Sequence, residues 1–430
     1  MAKLNQRLSA IAVAVAVTGM SSTAMAGGFG IGTQSGSGTG NAFAGGAAVA
    51  DDASVAWSNP AGMTLLPSGK QVTMAAHIIV PSFKFNNTGS TIPPAFGTGN
   101  GGDGGDLAVI PNGFFTMSID PRLTFGLALN VPFGLSTEYD NGWQGQLTAI
   151  ESSIKTLNIN PSLAYKINDN FSIGGGISVQ KIEAKLSAFT GVAALGNLTL
   201  DADDVGYGFN LGLMAQLTPS TRMGFTYRSK ISYELEGSAT YSGASAAAVN
   251  ATARADLDVP DSASWSLFSN VTPKWELMAD LTYTGWSSVK RLDVIRTSST
   301  LAPPPAGGAA GSTLTSLQFN WKDTLRIGVG ANYKYDDKTK FRFGLALDPT
   351  PTNDVDRTAR LPDQDRTWLA IGVQYKPTKE GVLEVGYAHE FVKDATVRNT
   401  ATIGGTPVGQ LVGTFKNTAD ILSVQYSHKF

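Results

Sequence analysis

Val205-Gly-Tyr207-Gly-Phe209-Asn-Leu211-Gly-Leu213-Met-Ala215-Gln-Leu217 is the stretch that decides the fold. Val205, Tyr207, Phe209, Leu211, Leu213, Ala215 and Leu217 make one apolar row, and Gly, Asn, Met and Gln fill the places between them. A period of two sends successive side chains to opposite faces of a strand. A wholly apolar face backed by a small or polar one suits a strand with lipid outside and a polar lumen inside. The pattern returns in Phe171, Ile173, Ile177 and Val179 against Ser172, Gly174, Gly176, Ser178 and Gln180. It returns again in Leu325, Ile327, Val329, Ala331, Tyr333 and Tyr335 against Arg326, Gly328, Gly330, Asn332 and Lys334. A soluble sandwich would alternate too, so the polar rows must discriminate. They carry Glu276, Asp280, Arg326, Arg342 and Glu384, charges that a sandwich core cannot hold unpaired and that a solvated pore or polar filling can.

Outward from these rows, Tyr165, Phe171, Phe225, Tyr227, Trp275, Tyr333, Tyr335, Phe341 and Tyr375 gather beside short turns, as an interfacial girdle requires. The short turns fall at Asp120-Pro121, Asn168-Asp169-Asn170, Pro219-Ser220, Thr272-Pro273, Asp336-Asp337 and Pro377-Thr378. Long Gly/Ser/Ala/Pro-rich connections fall near 87–106, 136–150, 187–203, 237–253, 297–314, 349–362 and 397–411. Six short and seven long connections join fourteen strands. The expected fold is an all-β transmembrane barrel of fourteen antiparallel strands, with both ends and the short turns on the periplasmic side. Leu422, Val424, Tyr426, His428 and Phe430 alternate to the last residue. Outer-membrane barrels commonly end on such an aromatic, which makes the barrel-assembly machinery an expected partner.

Ahead of the strands, Lys3 and Arg7 precede the apolar run Leu8 to Val17, and Ala24-Met25-Ala26 offers a small-residue cleavage site. Residues 1–26 therefore read as a secretory signal peptide, and the run is too short to span a membrane as a helix. The 430 residues include no cysteine, which removes a disulfide framework and thiolate metal sites. The balance of 32 basic to 34 acidic residues gives no excess charge for nucleic acid. No cofactor or metal is expected. Of His77, His389 and His428 only His77 falls on a lumen-facing row, so a hydrolytic site lacks its parts. Gly101-Gly102-Asp103-Gly104-Gly105-Asp106 reads as a flexible loop rather than a calcium repeat.

Residues 27–69 differ from everything in 70–430. They are rich in Gly, Ala and Ser and hold two helix starts: Asp52 as cap for Ala53 to Trp57, and Asn59 as cap with Pro60 at the first helical position before Ala61. A barrel of about fourteen strands is too wide to be filled by its own side chains. The expectation is that 27–69 is a plug, or hatch, inside the lumen.

Asn59-Pro60-Ala61, Asn160-Pro161-Ser162-Leu163-Ala164-Tyr165, Asp280-Leu-Thr-Tyr-Thr-Gly-Trp286-Ser287 and above all Arg360-Leu361-Pro362-Asp363-Gln364-Asp365-Arg366-Thr367-Trp368-Leu369 carry a resemblance. With them the mature chain resembles the FadL-type outer-membrane long-chain fatty-acid transporter family. The resemblance implies capture of a hydrophobic ligand at extracellular loops, an internal pocket, and sideways release into the bilayer at a kink in the third strand. That kink would fall at Val131, Pro132, Phe133 and Gly134, where proline cannot donate to the ladder and glycine removes a side chain. It implies a basic residue for the carboxylate, with Lys322 matching first, Arg326 on the same strand, and Lys181 and Lys185 on the fifth. The landing groove would use Phe189, Leu195 and Leu198, with less from 237–253. Relatives of this fold also take up toluene and similar hydrocarbons, so an uncharged ligand is the alternative. The implied partners are a long-chain fatty acid or other hydrophobic small molecule and the outer membrane with its lipopolysaccharide, around a monomeric barrel.

Overall fold

The computed structural model describes residues 27–302 and 307–430; the stretch read as a signal peptide, 1–26, lies outside the described residues. Eight strands cross the wall unbroken: β1 (Lys70–Asn87), β2 (Ala108–Ser118), β5 (Glu151–Lys166), β6 (Phe171–Phe189), β7 (Asn197–Gln216), β16 (Thr339–Asp348), β17 (Arg366–Tyr375) and β20 (Thr406–Lys429). Six more cross in two pieces. These are β3 (Leu123–Asn130) with β4 (Gly134–Glu138), β8 (Thr221–Arg228) with β9 (Ile231–Tyr241), and β10 (Ala251–Val259) with β11 (Ser262–Asn270). The others are β12 (Trp275–Thr284) with β13 (Arg291–Arg296), β14 (Thr313–Gln318) with β15 (Thr324–Lys334), and β18 (Gly381–Val392) with β19 (Ala395–Ile403). All neighbours pair antiparallel, and β1 meets β20 from Gln71 opposite Lys429 to Asn87 opposite Gly413. The sheet is a closed barrel of fourteen strands, with no lateral edge at its seam.

The two faces of the wall differ as the period of two requires. Val205, Tyr207, Phe209, Leu211, Leu213 and Leu217 are exposed, while Asn210 and Met214 between them are buried. A continuous exposed apolar band is untenable in water and is what a hydrocarbon layer covers. Tyr165, Phe171, Phe225, Trp275, Tyr335, Phe341 and Tyr375 are exposed beside the short turns, forming the girdle. The five inward charges named from the sequence are paired. Arg342 lies between Glu384 and Asp51, at 3.2 Å from the latter. Lys340 sits 3.3 Å from Asp51 and 3.2 Å from Glu276, and Arg326 is 3.6 Å from Asp280.

Three connections are shorter than the composition suggested. Within 187–203 only 190–196 lies outside strands, within 237–253 only 242–250, and within 397–411 only Gly404 and Gly405. Glycine, alanine and serine there do not break the ladder, because each extended strand has a paired neighbour: β6 continues against β7 to Phe189 opposite Asn197, and β19 against β20 to Ile403 opposite Thr406. The wall therefore rises beyond the apolar belt on the side away from the termini. The interior at that level is an apolar cluster that includes Phe83, Phe85, Ile182, Tyr233, Leu257, Trp286, Trp321 and Phe415.

Candidate functional site

The segment 27–69 lies inside the barrel and bonds to inward-facing residues around most of its circumference. Helix Gly36–Thr39 is capped by Ser35, whose Oγ accepts from Gly38 N at 3.0 Å. Gln425 on β20 accepts from Gly36 N at 2.8 Å, and Thr39 pairs with Ser423 at 2.8 Å. The first of the two expected helices starts later than Asp52 implied. It runs Val55–Ser58 after Ser54, while Asp52 Oδ1 accepts from Ser54 N at 2.8 Å as a turn. The Asn59 reading matches: the 3-10 helix Pro60–Leu65 follows it, with Asn59 Oδ1 accepting from Ala61 N at 3.1 Å. Asn59 Nδ2 also donates to Ala47 O at 2.7 Å and to Leu213 O of the wall at 2.9 Å. Pro60 and Ala61 are buried against the wall at two glycines. A Cβ on Gly174 would lie 2.5 Å from Ala61 N, and one on Gly212 would lie 2.1 Å from Asn59 Oδ1. Those inward glycines are required for this close approach.

Asp51 ties the segment electrostatically to the wall. Burial works against its charge, yet Lys340, Arg342 and Arg222 together hold its carboxyl well below the usual carboxylate range. A depressed folded pKa stabilises above the unfolded value and loses that contribution as pH falls through the folded one. Protection of the 27–69 segment from protease should therefore hold down to about pH 4 and weaken below it. Asp51→Asn should flatten that acid limb; an unchanged profile would remove Asp51 from the account.

The third wall strand breaks where the sequence placed a kink. Asn130 stands opposite Asn158 and Gly134 opposite Lys155, so the strand carries one residue more than its partner across the break. β3 pairs with β2 from Gly113 to Ser118 only. Residues 108–112 of β2 pair on their other side with β1, and among the described residues no strand meets them from the β4 side. The segment 27–69, together with Asn112 of β2, takes up the orphaned backbone groups. Ile31 N donates to Pro132 O at 2.8 Å and Gly134 N to Phe29 O at 2.9 Å. Gln34 Nε2 donates to Val131 O at 3.0 Å, and Val131 N to Asn112 Oδ1 at 3.3 Å. Val131, Pro132 and Gly134 are buried and Phe133 half-buried. Phe29 packs on Phe133, Trp286 and Trp321 at ring distances of 5.8, 5.0 and 5.5 Å.

Between this segment and the wall lies a cavity of about 320 Å³. Its apolar lining includes Phe43, Trp57, Pro132, Phe133, Trp286 and Trp368, and its cationic side chains are Arg228, Arg326 and Arg342. Arg342 and Arg326 are matched by carboxylates, and Arg326 is further bound to Ala42 O. Arg228 makes no ion pair among the described residues. It donates to Trp57 O at 2.9 Å and to Ser178 Oγ at 3.4 Å, and its guanidinium lies 3.2 Å from the Trp57 ring centre.

The expected basic residues separate into inside and outside. Arg326 lines the cavity. Lys181 and Lys185 share the outward row of Ile177 and Val179; Lys181 pairs with Glu183 and Asp203, at 2.8 and 3.5 Å, and Lys185 with Glu151 at 2.7 Å. Strand parity turns both away from the lumen. Lys322 falls in the break between β14 and β15, where Trp321 is buried and Lys322 is exposed; it does not line the cavity. Phe189 and Leu198 pack against the apolar cluster of the upper lumen, and Leu195 is buried in the connection 190–196. His77 is fully buried, with Nδ1 2.6 Å from Ser423 Oγ and Nε2 3.2 Å from Asn112. The residues missed from sequence are Arg228, Trp57 and Phe29. Arg228 shares the inward row of β8 with Gly224 and Thr226, and its parity alone could have nominated it.

A family model described as "Outer membrane protein transport protein (OMPP1/FadL/TodX)" matches residues 17–430. A long-chain fatty acid transport protein of Salmonella typhi is 30% identical over 81% of this chain and 83% of its own length. A 47 kDa outer membrane protein of Pasteurella multocida is 30% identical over 90% of this chain and 91% of its own. The crystal structure of a Pseudomonas aeruginosa FadL homologue, 26% identical, superposes with a TM-score of 0.85 over 94% of this chain and 100% of its own. That of the Ralstonia pickettii toluene transporter TbuX, 21% identical, gives 0.64 over 91% of this chain and 98% of its own, a likeness of fold.

Proposed function

The chain belongs to the OMPP1/FadL/TodX family of outer membrane transport proteins, and from that premise we propose that it carries long-chain fatty acids across the outer membrane. The acid lands among the apolar residues of the upper lumen, with Phe189, Leu195 and Leu198 at the rim, and passes to the cavity beside the plug 27–69. There Arg228 holds the carboxylate while the aromatic lining and the neighbouring apolar cluster take the chain. The acid leaves sideways through the break between β2 and β4, at Val131, Pro132, Phe133 and Gly134. Outside, Lys181 and Lys185 face lipopolysaccharide, Phe430 serves the assembly machinery, and one barrel suffices for transport.

The observation that carries this reading is Arg228, a part-buried guanidinium against the Trp57 ring with no ion pair among the described residues, on a cavity that Asp51, Asp52, Asp280 and Asp348 also line. A cation with aromatic surroundings and a vacant acidic partner suits an amphiphilic anion better than a hydrocarbon. The test is binding of a long-chain acid, its alcohol and toluene to the detergent-purified barrel and to Arg228→Gln. Loss of one charge-assisted hydrogen bond, about 1.5–3 kcal/mol, should weaken the acid by roughly ten- to a hundredfold and leave the alcohol unchanged. Lys322→Ala, on the outer side, should alter neither. Equal binding of all three ligands, indifferent to Arg228, would make the protein an uptake channel for uncharged hydrophobic compounds such as monoaromatic hydrocarbons.

A further inference from the structure

Gly27, the first described residue, is buried, and the carboxylates around it outnumber the cations. Its nitrogen lies 3.3 Å from Asp348 Oδ2 at the end of β16, and Gly28 N donates to Asp363 Oδ2 at 2.9 Å. Asp348 is 5% exposed, and Asp363 and Glu390 are wholly buried. Arg366 is shared by Asp363 and Glu390. Asp280, also against this site, has Arg326, and Arg357 donates to the Asp363 backbone oxygen while pairing with Asp354. Asp365 lies beside it and pairs with Lys393 at 3.1 Å. Asp348 has no cation within ion-pair distance among the described residues. Its carboxylate meets Gly27 N instead. Independently of this geometry, Ala24-Met25-Ala26 places the expected cleavage between Ala26 and Gly27.

We propose that the missing cation is the α-ammonium of Gly27, made by removal of the leader, and that it locks the front of the plug onto Asp348. Hydrolysis of the Ala26–Gly27 bond takes up one water. The carboxylate departs with Ala26, and the freed amine of Gly27 binds a proton at neutral pH. Before cleavage that nitrogen is a neutral amide and leaves Asp348 buried without a counter-charge, which is costly. After cleavage it is an ammonium on the Asp348 carboxylate, next to the Gly28 amide that already donates to Asp363. The lock acts on the exit, because two residues on Phe29 O accepts from Gly134 N and Ile31 N donates to Pro132 O. Leader processing thereby completes the contact between plug and kink. The inference rests on the reading of residues 1–26 and is independent of which ligand the barrel carries.

Ion pairing raises the pKa of an amine, whereas simple burial lowers it, so titration separates a lock from a merely covered terminus. The purified barrel would be treated with an acetylating succinimidyl ester across a pH series, reading the N-terminal peptide by mass spectrometry. In the heat-unfolded chain the labelling midpoint should lie near the ordinary α-amine value of about 7.7–8.0. In the folded barrel it should lie at least one unit higher, and Asp348→Asn should return it to the unfolded value or below. If that variant does not fold, one serine inserted between Ala26 and Gly27 moves the amine off Asp348 with both carboxylates intact, and should also return the midpoint. A folded midpoint at or below the unfolded one, an unmoved midpoint in these variants, or a mature chain that does not start at Gly27 overturns the proposal.

Discussion

Asn59→Ala should loosen the plug against the wall while leaving the barrel closed. The side chain is fully buried and serves three backbone groups: Ala47 O, Leu213 O and Ala61 N. Alanine fills less space and satisfies none of them. A buried polar group stripped of its partner costs about 1–3 kcal/mol; Leu213 O alone belongs to the wall, so docking weakens by about that much, while loss of the bonds to Ala47 O and Ala61 N loosens the segment itself. The wall itself is held by ladders that the substitution does not touch. Rapid protease cleavage within 27–69 and raised ion conductance in a planar bilayer are the expected results, in a barrel that still shows heat-modifiable migration. A plug as protected and a pore as closed as in the parent protein would show that Asn59 is not a fastening.

Deleting Pro132 should stop transport without stopping binding. The third wall strand has one residue more than β5 between the pairs Asn130–Asn158 and Gly134–Lys155. Removing one residue lets the ladder run through, as register demands, and brings the strand edge toward residues 108–112 of β2. The deletion alters the cavity only at its Pro132 edge and leaves Arg228, Trp57 and the opposite lining in place, so acid affinity should remain within about twofold, while uptake into cells falls tenfold or more. Both figures follow from assigning exit alone to the break, the binding change being under about 0.4 kcal/mol. Undiminished uptake would move the exit elsewhere, and a parallel loss of binding would mean that the break shapes the pocket instead.

The barrel was legible in the sequence because its signal is periodic and long-range in number: row after row repeats the same two-faced pattern. The pieces that follow local context were less so. Glycine and alanine in 187–203 looked like loop, but pairing across β6 and β7 extends them as strand, and pairing partners are not written locally. Parity did hold the answer for Lys181, which stands in the row of Ile177 and Val179; the resemblance pulled it inward and the period keeps it out. At Lys322 parity is of no use, because the break between β14 and β15 resets the faces. Arg228 was visible as an inward residue, but its lack of a carboxylate depends on three-dimensional neighbours. The caps of 27–69 could be read residue by residue, whereas the glycines that admit Pro60 and Ala61 lie in strands more than a hundred residues away.

The seam between β1 and β20 joins the first wall strand to the last. The plug precedes β1 in the chain, yet it is bonded to Gln425 and Ser423 on β20 as well as to Leu213 on β7. Ala53 N donates to Thr73 Oγ1 on β1 at 3.3 Å, so one short segment is fastened to both strands of the seam and braces the closure from inside.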